Sequence, residues 1–223
     1  MPATVSPLRY PGGKTKFYTY VREILSCNDM LGETYIEPFA GGAGLALKLL
    51  LNEDVSRIVI NDFDPAIYSF WHSVLYETEA FCELIENAIL TTNQWNLQHS
   101  IYLESDTSDP LTLGFATFYL NRTNISGVVK GGMIGGQGQN GKYGLDGRFN
   151  RQTLIEKIKT IASHKEQIVL LNLDARELLQ PRQLRKFYKI FINLDPPYVK
   201  KGAQLYKNAF SESDHRELCE LVK

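Results

Sequence analysis

A short apolar run that ends in two consecutive prolines constrains the fold of this chain more than any other feature. Residues 188–192 are largely apolar and β-branched, which is typical of a buried strand in a parallel sheet. Asn193-Leu194-Asp195-Pro196-Pro197-Tyr198 follows directly. Because proline cannot donate to a β-ladder, the strand ends in a stiff corner that carries Asp195 and Tyr198. In open α/β sheets, ligands bind at this carboxyl edge of the strands.

The groups at this corner suit the amino group of a planar base. Asp195 and the carbonyl of Pro196 can accept hydrogen bonds from an exocyclic amine, and Tyr198 offers a ring on which a base can stack. Such contacts make the amine nitrogen a better nucleophile. The alternative is a strand followed by an ordinary loop with a surface aspartate.

A glycine-rich turn between an acidic residue and a helix predicts a nucleotide-type ligand site. A short strand at residues 34–37 ends at Glu37, and a helix is predicted at residues 45–51. The glycines that let the turn approach a ligand closely are Gly41, Gly42 and Gly44. The next strand, residues 57–60, ends in Asn61-Asp62, where an acidic residue can bind ribose hydroxyls. The alternative is a structural turn with a helix-capping aspartate.

The position of Glu37 distinguishes between the cofactors that this layout could bind. A dehydrogenase that binds a nicotinamide dinucleotide has the same strand–turn–helix arrangement. A carboxylate before the glycines would repel a pyrophosphate, but it suits the ammonium group of S-adenosylmethionine, which carries no phosphate. The sequence therefore favours S-adenosylmethionine.

The amino-terminal loop is a second, weaker candidate for ligand binding. Gly12-Gly13-Lys14 opens a predicted helix, so that free backbone N–H groups and a cation lie beside each other. This arrangement suits an anion such as a carboxylate. An ordinary turn is the alternative.

A basic, glycine-rich stretch in the middle of the chain predicts a surface for nucleic acid. Residues 121–160 contain seven lysines and arginines against two acidic residues, and residues 127–147 contain nine glycines. Such a composition cannot bury a core and predicts a mobile loop or a loose hairpin. Its cations and amides suit phosphates and base edges. A solvated, flexible insertion is the alternative.

The rest of the chain alternates between predicted helices and strands, as in an α/β fold. The predicted elements are two helices within residues 63–90, a loop or small separate element at 91–110, helices at 111–120 and 151–161, a strand at 166–173 ending at Asp174, a broken helical segment at 175–187 and a helix starting at Ser211.

The bulk composition adds few constraints. The net charge is −1, and the three cysteines and four histidines show no metal-ligand spacing. No apolar run reaches the roughly 20 residues of a membrane span. These features predict a cytoplasmic protein with no metal and no membrane partner.

The order of the motifs resembles that of the Dam-type (D12 class) DNA adenine-N6 methyltransferases over nearly the whole chain. The shared motifs, in order, are Pro11-Gly12-Gly13-Lys14, the turn after Glu37, Asn61-Asp62, the basic insertion and Asp195-Pro196-Pro197-Tyr198. The resemblance implies a Rossmann-like sheet that binds S-adenosylmethionine. It also implies a catalytic domain of residues 1–110 and 150–223 and a target-recognition segment of residues 111–149. The substrate would be double-stranded DNA, and a partner restriction endonuclease is compatible with this family.

The resemblance further implies roles for individual residues. The cofactor-binding set is Tyr10, Lys14, Glu37, Gly41, Gly42, Gly44, Asp62, Asp174 and Asp195. In it, Glu37 and the glycines would hold the methionine part, Asp62 the ribose, and Asp174 would lie near the adenine. The catalytic set, which would hold a flipped-out adenine for methylation at N6, is Asp195, Pro196 and Tyr198. The DNA-binding set is Asn121, Arg122, Ser126 and Lys130.

One departure from the family concerns the end of the sheet. Family members continue past the helix that starts at Ser211 and add further strands, so the C-terminal strands are expected to be missing here. The rival functions are a cytosine-N4 methyltransferase with the same chemistry, an RNA or protein methyltransferase, and a truncated remnant that binds without turnover. A dehydrogenase is the weakest rival, because it has no role for the Asp195 corner.

Overall fold

The computed structural model describes residues 4–9, 12–197 and 211–222, and the chain divides into two compact units. The sheet unit consists of Gly13–Asp64 and Glu166–Lys223, and the helical unit consists of Met1–Gly12 and Pro65–Lys165. Each unit is therefore built from two stretches that are separated in sequence. The predicted recognition segment, residues 111–149, lies entirely within the helical unit.

Four parallel strands form the sheet within the described residues, in the spatial order β3-β2-β1-β4. They are β1 (Thr34–Glu37), β2 (Arg57–Asn61), β3 (Ile168–Leu171) and β4 (Ile190–Ile192). Glu37 of β1 is in register with Ile60 of β2, and Ile36 of β1 with Ile192 of β4. The predicted α/β class and its parallel strands are thus confirmed, and the apolar residues of β1 and β2 are fully buried, as expected in a parallel sheet.

Helices flank these strands along the chain. The α-helices of the described residues are α1 (Tyr18–Cys27), α2 (Gly44–Leu51), α3 (Pro65–Tyr76), α4 (Thr78–Glu86), α5 (Thr92–Glu104), α6 (Pro110–Thr123), α7 (Arg151–Ala162), α8 (Ala175–Leu178), α9 (Pro181–Leu184) and α10 (Glu212–Leu221). Short 3₁₀-helices are Lys14–Phe17, Ile125–Gly127, Leu145–Arg148 and Lys165–Gln167. In the part of the chain that is described, no helix combines the length and the apolar character that crossing a membrane requires.

The core of the sheet unit lies where helices cover the strands. Helix α2 packs against β1 and β2 and buries its leucines, including Leu45 and Leu49. A second cluster joins Ile36 and Val59 of the sheet to Leu178 of α8, with apolar residues of β3, β4 and α9 around it. This burial fixes the strand ends, on which the candidate site depends.

The core of the helical unit is organised around the close approach of α3 and α6. A Cβ atom added at Gly114 of α6 would lie 2.5 Å from the carbonyl oxygen of Ser69 and 2.5 Å from the hydroxyl of Ser73, both in α3. Only glycine allows this distance. Beside it, Phe118 stacks on Phe70 with ring centroids 6.0 Å apart.

Helix α5 replaces the loop or small element that the sequence predicted at residues 91–110, so that prediction was wrong. Many polar residues hide the helical pattern, yet Trp95, Gln98 and Tyr102 are buried at positions i, i+3 and i+7. Thr91 caps the helix, because its hydroxyl accepts a hydrogen bond from the backbone N–H of Gln94 at 3.3 Å. Spacing of the two aromatic residues was the signal that could have found this helix.

Candidate active site

The ends of β1 and β4 lie side by side at the point where the strand order reverses. Strand β4 follows β3 in sequence but pairs with β1, on the other side of the sheet. The backbone N–H of Asn193, just after β4, donates a hydrogen bond to the carbonyl of Ile36 at 2.9 Å. In doubly wound sheets, ligands bind in the crevice at such a reversal. Glu37, at the end of β1, and Asp195, beyond β4, are therefore brought to one candidate site.

Glu37 is buried at this site and is held by neutral hydrogen-bond donors. The hydroxyl of Tyr35 donates to Oε1 of Glu37 at 3.1 Å, and the backbone N–H of Ala46 and the side chain of Asn193 also bond to the carboxylate. Burial, with a smaller contribution from the charge of Asp195, raises the pKa of Glu37 to about 7. No lysine or arginine of the described chain forms a salt bridge with this buried carboxyl group.

Asp62 and the glycine turn form a second part of the site. The backbone N–H of Gly41 donates to Oδ2 of Asp62 at 2.8 Å, and that of Asp64 donates to Oδ1 at 3.0 Å. Burial raises the pKa of Asp62 to about 7, although these two N–H groups lower it. Gly42 is buried inside the turn, and Gly44 begins α2. The predicted turn therefore places backbone and carboxylate together after β1 and β2.

Asp195 forms a salt bridge with Lys14. The ammonium nitrogen of Lys14 lies 2.5 Å from Oδ2 of Asp195, and the two side chains are 27% and 34% exposed. The sequence predicted that Lys14 contacts the cofactor. In the structure, its ammonium group is paired with Asp195, the residue predicted to be catalytic. Pro196 follows within the described chain, but the predicted site residues Tyr10 and Tyr198 lie outside the described residues.

Asp174 is already engaged by an arginine. It caps α8, and its carboxylate accepts hydrogen bonds from the backbone N–H and the guanidinium of Arg176 at 2.7–2.9 Å. These hydrogen bonds hold the pKa of Asp174 below its ordinary value. Arg176 also donates to Asp214 at 2.7 Å and to Glu217 at 2.9 Å, so that it fastens α10 to α8. The place of Asp174 near a cofactor adenine stays a prediction.

Asn121, predicted to bind DNA, is a buried link between α6 and the amino-terminal segment. Its Oδ1 accepts the backbone N–H of Arg9 at 2.8 Å, and its Nδ2 donates to the carbonyls of Arg9 at 3.0 Å and Gly127 at 2.9 Å. Gly127 has φ +75°, and a Cβ atom there would lie 2.3 Å from the carbonyl oxygen of Arg9. Asn121 therefore fixes the backbone of the predicted recognition segment at Gly127 and connects it to Arg9.

The other residues predicted to bind DNA differ in exposure. Arg122 donates to the carbonyl of Arg148, and burial together with the charges of Arg9 and Arg148 lowers its pKa to about 10. Ser126 and Lys130 are exposed beyond α6, and Ser126 adopts a left-handed backbone with φ 57°. The cations in this region raise the local positive potential, which suits an anionic partner.

The glycine-rich stretch, for which the sequence predicted a mobile loop or a loose hairpin, forms a series of turns. Its only antiparallel pairing within the described residues is the single bridge between Asn124 and Met133, so a hairpin ladder does not form there. Gln139 holds the turns together, because its Nε2 donates to the carbonyls of Ile134 at 2.8 Å and Gly136 at 2.7 Å. The stretch also buries the apolar side chains of Met133 and Leu145, so the expectation that it cannot contribute to a core was wrong.

Nearly the whole chain matches one known protein family. The family model for D12 class N6 adenine-specific DNA methyltransferase matches residues 10–223. The chain belongs to this family. Methylation of adenine in DNA at N6 is the family's reaction. A comparison with curated protein sequences gives no match.

This member of the D12 class contains a polar residue whose importance the sequence did not reveal. Asn124, at the end of α6, is fully buried, and its Nδ2 donates to the carbonyls of Val128, Val129 and Gly131 at 3.0, 2.8 and 2.9 Å. Its Oδ1 accepts the indole N–H of Trp95 at 2.6 Å. One amide therefore folds the chain that follows α6 and connects it to α5.

Asn61 plays a comparable part in the sheet unit. Its Nδ2 donates to the carbonyls of Pro38 and Leu173, each at 2.9 Å, and its Oδ1 accepts the N–H of Leu173 at 2.9 Å. The turn after β1 is thereby tied to the chain after β3. Its place just before Asp62 was the only signal in the sequence.

Within the described residues, no group of three or more His, Cys, Asp or Glu side chains is arranged to hold a metal ion.

Proposed function

We propose that this chain transfers a methyl group from S-adenosylmethionine to N6 of a flipped-out adenine in double-stranded DNA. The observation that carries the proposal is that Glu37 and Asp195 follow neighbouring strands at the point where the strand order reverses. The chain is also a member of the D12 class. The order β3-β2-β1-β4 is also that of the first four strands in doubly wound nucleotide-binding sheets. Proximity of a cofactor carboxylate and an amine-binding carboxylate is what this reaction requires.

The charge of Glu37 supports S-adenosylmethionine as the cofactor. A buried carboxylate without a cationic partner is unfavourable, and a ligand that brings an ammonium group into contact with it removes that penalty. Asp62 would accept hydrogen bonds from the ribose hydroxyls, because each of its oxygens accepts one backbone N–H and keeps a further lone pair. Gly41, Gly42 and Gly44 would let the backbone approach the methionine part. Asp174 would lie at the adenine end.

The chemistry assigned to the Asp195 corner is activation of a weak nucleophile. The lone pair of adenine N6 is delocalised into the ring. Hydrogen bonds from N6 to Asp195 and to the carbonyl of Pro196 would favour a tetrahedral nitrogen, whose lone pair is free to react. S-adenosylmethionine supplies an electrophilic methyl group on its sulfonium. The site must then align the nitrogen with that methyl group, which requires the adenine to leave the duplex. The flipped-out adenine would stack on the ring of Tyr198.

The helical unit is the proposed site of DNA recognition. Within residues 111–149, Ser126 and Lys130 are exposed to solvent and would contact a base edge or a phosphate, and Arg122 adds positive charge to this segment. Asn121 would act indirectly, since its amide is occupied by Arg9 and Gly127. The catalytic function would then rest on residues 1–110 and 150–223.

We expect the affinity for S-adenosylmethionine to fall as the pH drops below about 7, the value to which burial raises the pKa of Glu37 and Asp62. The cofactor's ammonium requires Glu37 in its ionised form, so binding releases protons below this pH. The loss approaches tenfold per pH unit for each carboxyl group that must ionise. Calorimetric titration at pH 5.5, 6.5 and 7.5, in two buffers with different ionisation enthalpies, measures both effects. Equal dissociation constants at all three pH values would contradict this role of Glu37.

The folding stability of the free protein should rise as the pH drops, whereas the affinity for S-adenosylmethionine falls. A carboxyl group whose pKa is raised by folding contributes stability below its unfolded pKa, and that contribution is lost as the pH rises through the folded value. The Glu37→Gln variant is therefore expected to be more stable than the unmodified protein at pH 8 and to lose S-adenosylmethionine binding. Glu23→Gln, at an exposed position of α1, is the matched control and should change neither property.

Mass spectrometry of nucleosides tests the proposed function as a whole. Unmethylated duplex DNA is incubated with the full chain, with and without S-adenosylmethionine, and is then digested to nucleosides. N6-methyladenine that depends on the cofactor is the expected product. N4-methylcytosine would instead assign the chain to the cytosine-N4 methyltransferases. The absence of any methylated base would overturn the proposal for this chain.

A further inference from the structure

The salt bridge between Lys14 and Asp195 brings a cation into contact with the carboxylate that, in the proposed function, binds the adenine amine. Lys14 opens the 3₁₀-helix Lys14–Phe17, which leads into α1 and packs against α2. Its ammonium nitrogen lies 2.5 Å from Oδ2 of Asp195. Both residues belong to the sheet unit, and 181 positions in sequence separate them. The resemblance assigned Lys14 to the cofactor and assigned nothing that positions Asp195.

We propose that Lys14 is a positioning residue for the carboxylate that binds the adenine amine. The inference rests on the proposed function. Asp195 stands beyond the end of β4, where no ladder restrains it, and it has two carboxylate oxygens. A charge-assisted bond from Lys14 to Oδ2 fixes the side-chain rotamer and leaves Oδ1 to accept a hydrogen bond from N6. Lys14 therefore orients Asp195 for the incoming base.

The surroundings favour this role over a solvent-exposed ion pair. Both side chains are about one-third exposed or less, so the pair is partly removed from water and is less weakened by it than a surface pair. Lys14 is held on a helical turn that packs against α2, which gives the bond a fixed anchor. A positioning contact needs such an anchor, since a misplacement of about 1 Å at a reacting group can cost about 100-fold in rate.

Three variants separate this role from cofactor binding. Lys14→Met removes the ammonium and keeps most of the side-chain volume, Lys14→Arg keeps a cation, and Lys16→Met alters an exposed lysine of the same turn as the control. Single-turnover methylation at saturating S-adenosylmethionine and DNA is expected to fall about 10- to 100-fold in Lys14→Met, to recover in part in Lys14→Arg and to stay unchanged in Lys16→Met. The dissociation constant for S-adenosylmethionine is expected to change less than about threefold. A large rise in that constant, with an unchanged rate at saturation, would overturn the proposal.

A measurement without turnover tests the pair independently of the proposed function. Trace acetylation of lysines, mapped by peptide mass spectrometry, reports how strongly each ammonium group is engaged. In the Asp195→Asn variant, Lys14 is expected to react several-fold faster than in the unmodified protein, whereas Lys189, paired with Glu33, keeps its rate. Unchanged labelling of Lys14 would show that the pair does not form and would overturn the inference. Absence of any methylated base together with released Lys14 would instead refute only the proposed reaction.

Discussion

Replacement of Asp195 by asparagine is expected to lower the rate of adenine methylation about 100- to 1,000-fold. The amide keeps the size of the side chain and one acceptor oxygen, but it removes the negative charge that offsets the positive charge developing on N6. It also removes the partner of Lys14. The cofactor carboxylates Glu37 and Asp62 are untouched, so the dissociation constant for S-adenosylmethionine should change less than about threefold.

Single-turnover kinetics with duplex DNA, followed by nucleoside mass spectrometry, measures the effect of this variant, and calorimetry measures cofactor binding. Asp29→Asn is the matched control, because Asp29 is exposed in the same unit and its left-handed backbone, φ 53°, tolerates asparagine. An unimpaired rate in Asp195→Asn would exclude the carboxylate as the group that activates the amine. A loss of cofactor binding would instead assign Asp195 to the cofactor alone.

Replacement of Asn124 by alanine is expected to reduce the free energy of unfolding by about 2–4 kcal/mol, because each buried polar group left without a partner costs about 1–3 kcal/mol. The substitution removes the partner of the indole N–H of Trp95 and of the carbonyls of Val129 and Gly131, whereas the carbonyl of Val128 still accepts the N–H of Gly131. It also releases the chain after α6 from its folded shape. DNA binding is therefore expected to weaken about tenfold or more, while S-adenosylmethionine binding in the sheet unit is retained.

Urea denaturation gives the stability change of this variant, and fluorescence anisotropy with labelled duplex at a fixed salt concentration gives the DNA affinity. Gln137→Ala removes an exposed amide of the same glycine-rich stretch and should change the unfolding free energy little. Asn124→Asp keeps the acceptor for Trp95 but removes both donors, so an intermediate loss is expected. If Asn124→Ala binds DNA as tightly as the unmodified protein, the shape of this chain segment does not determine recognition.

The strands, and the sheet edge at which the candidate site is proposed, were predictable because they depend on local composition. The apolar runs of β2 and β4 are continuous over three residues, and the prolines after Asp195 define where the extended chain after β4 ends. Parallel strands then bring their carboxyl ends to one edge, so Glu37, Asp62 and Asp195 could be placed there from the sequence. Helix α5 escaped prediction because its buried residues are separated by exposed polar ones, which weakens the periodic signal.

The contacts of individual side chains could not be predicted, because their partners are distant or are backbone groups. Lys14 meets a residue 181 positions away, and nothing near either residue indicates the other. The partners of Asn124 are mainly carbonyls, which occur at every residue and carry no sequence signal. Asn121 was predicted to contact DNA from its place in a motif, whereas its hydrogen bonds are with Arg9 and Gly127.

The pairing of Asn121 with the backbone of Arg9 limits how the recognition segment can be engineered. Exchanging target preference between two related enzymes would ordinarily be attempted by transplanting residues 111–149 as a cassette. Such a chimera would set a foreign α6 against the host's own residues 4–9, and Gly127 leaves no room for a side chain beside Arg9. A transplant that carries both stretches from the same donor preserves these contacts. The unit of modular exchange in this protein is therefore discontinuous in sequence, because it combines residues 111–149 with residues 4–9.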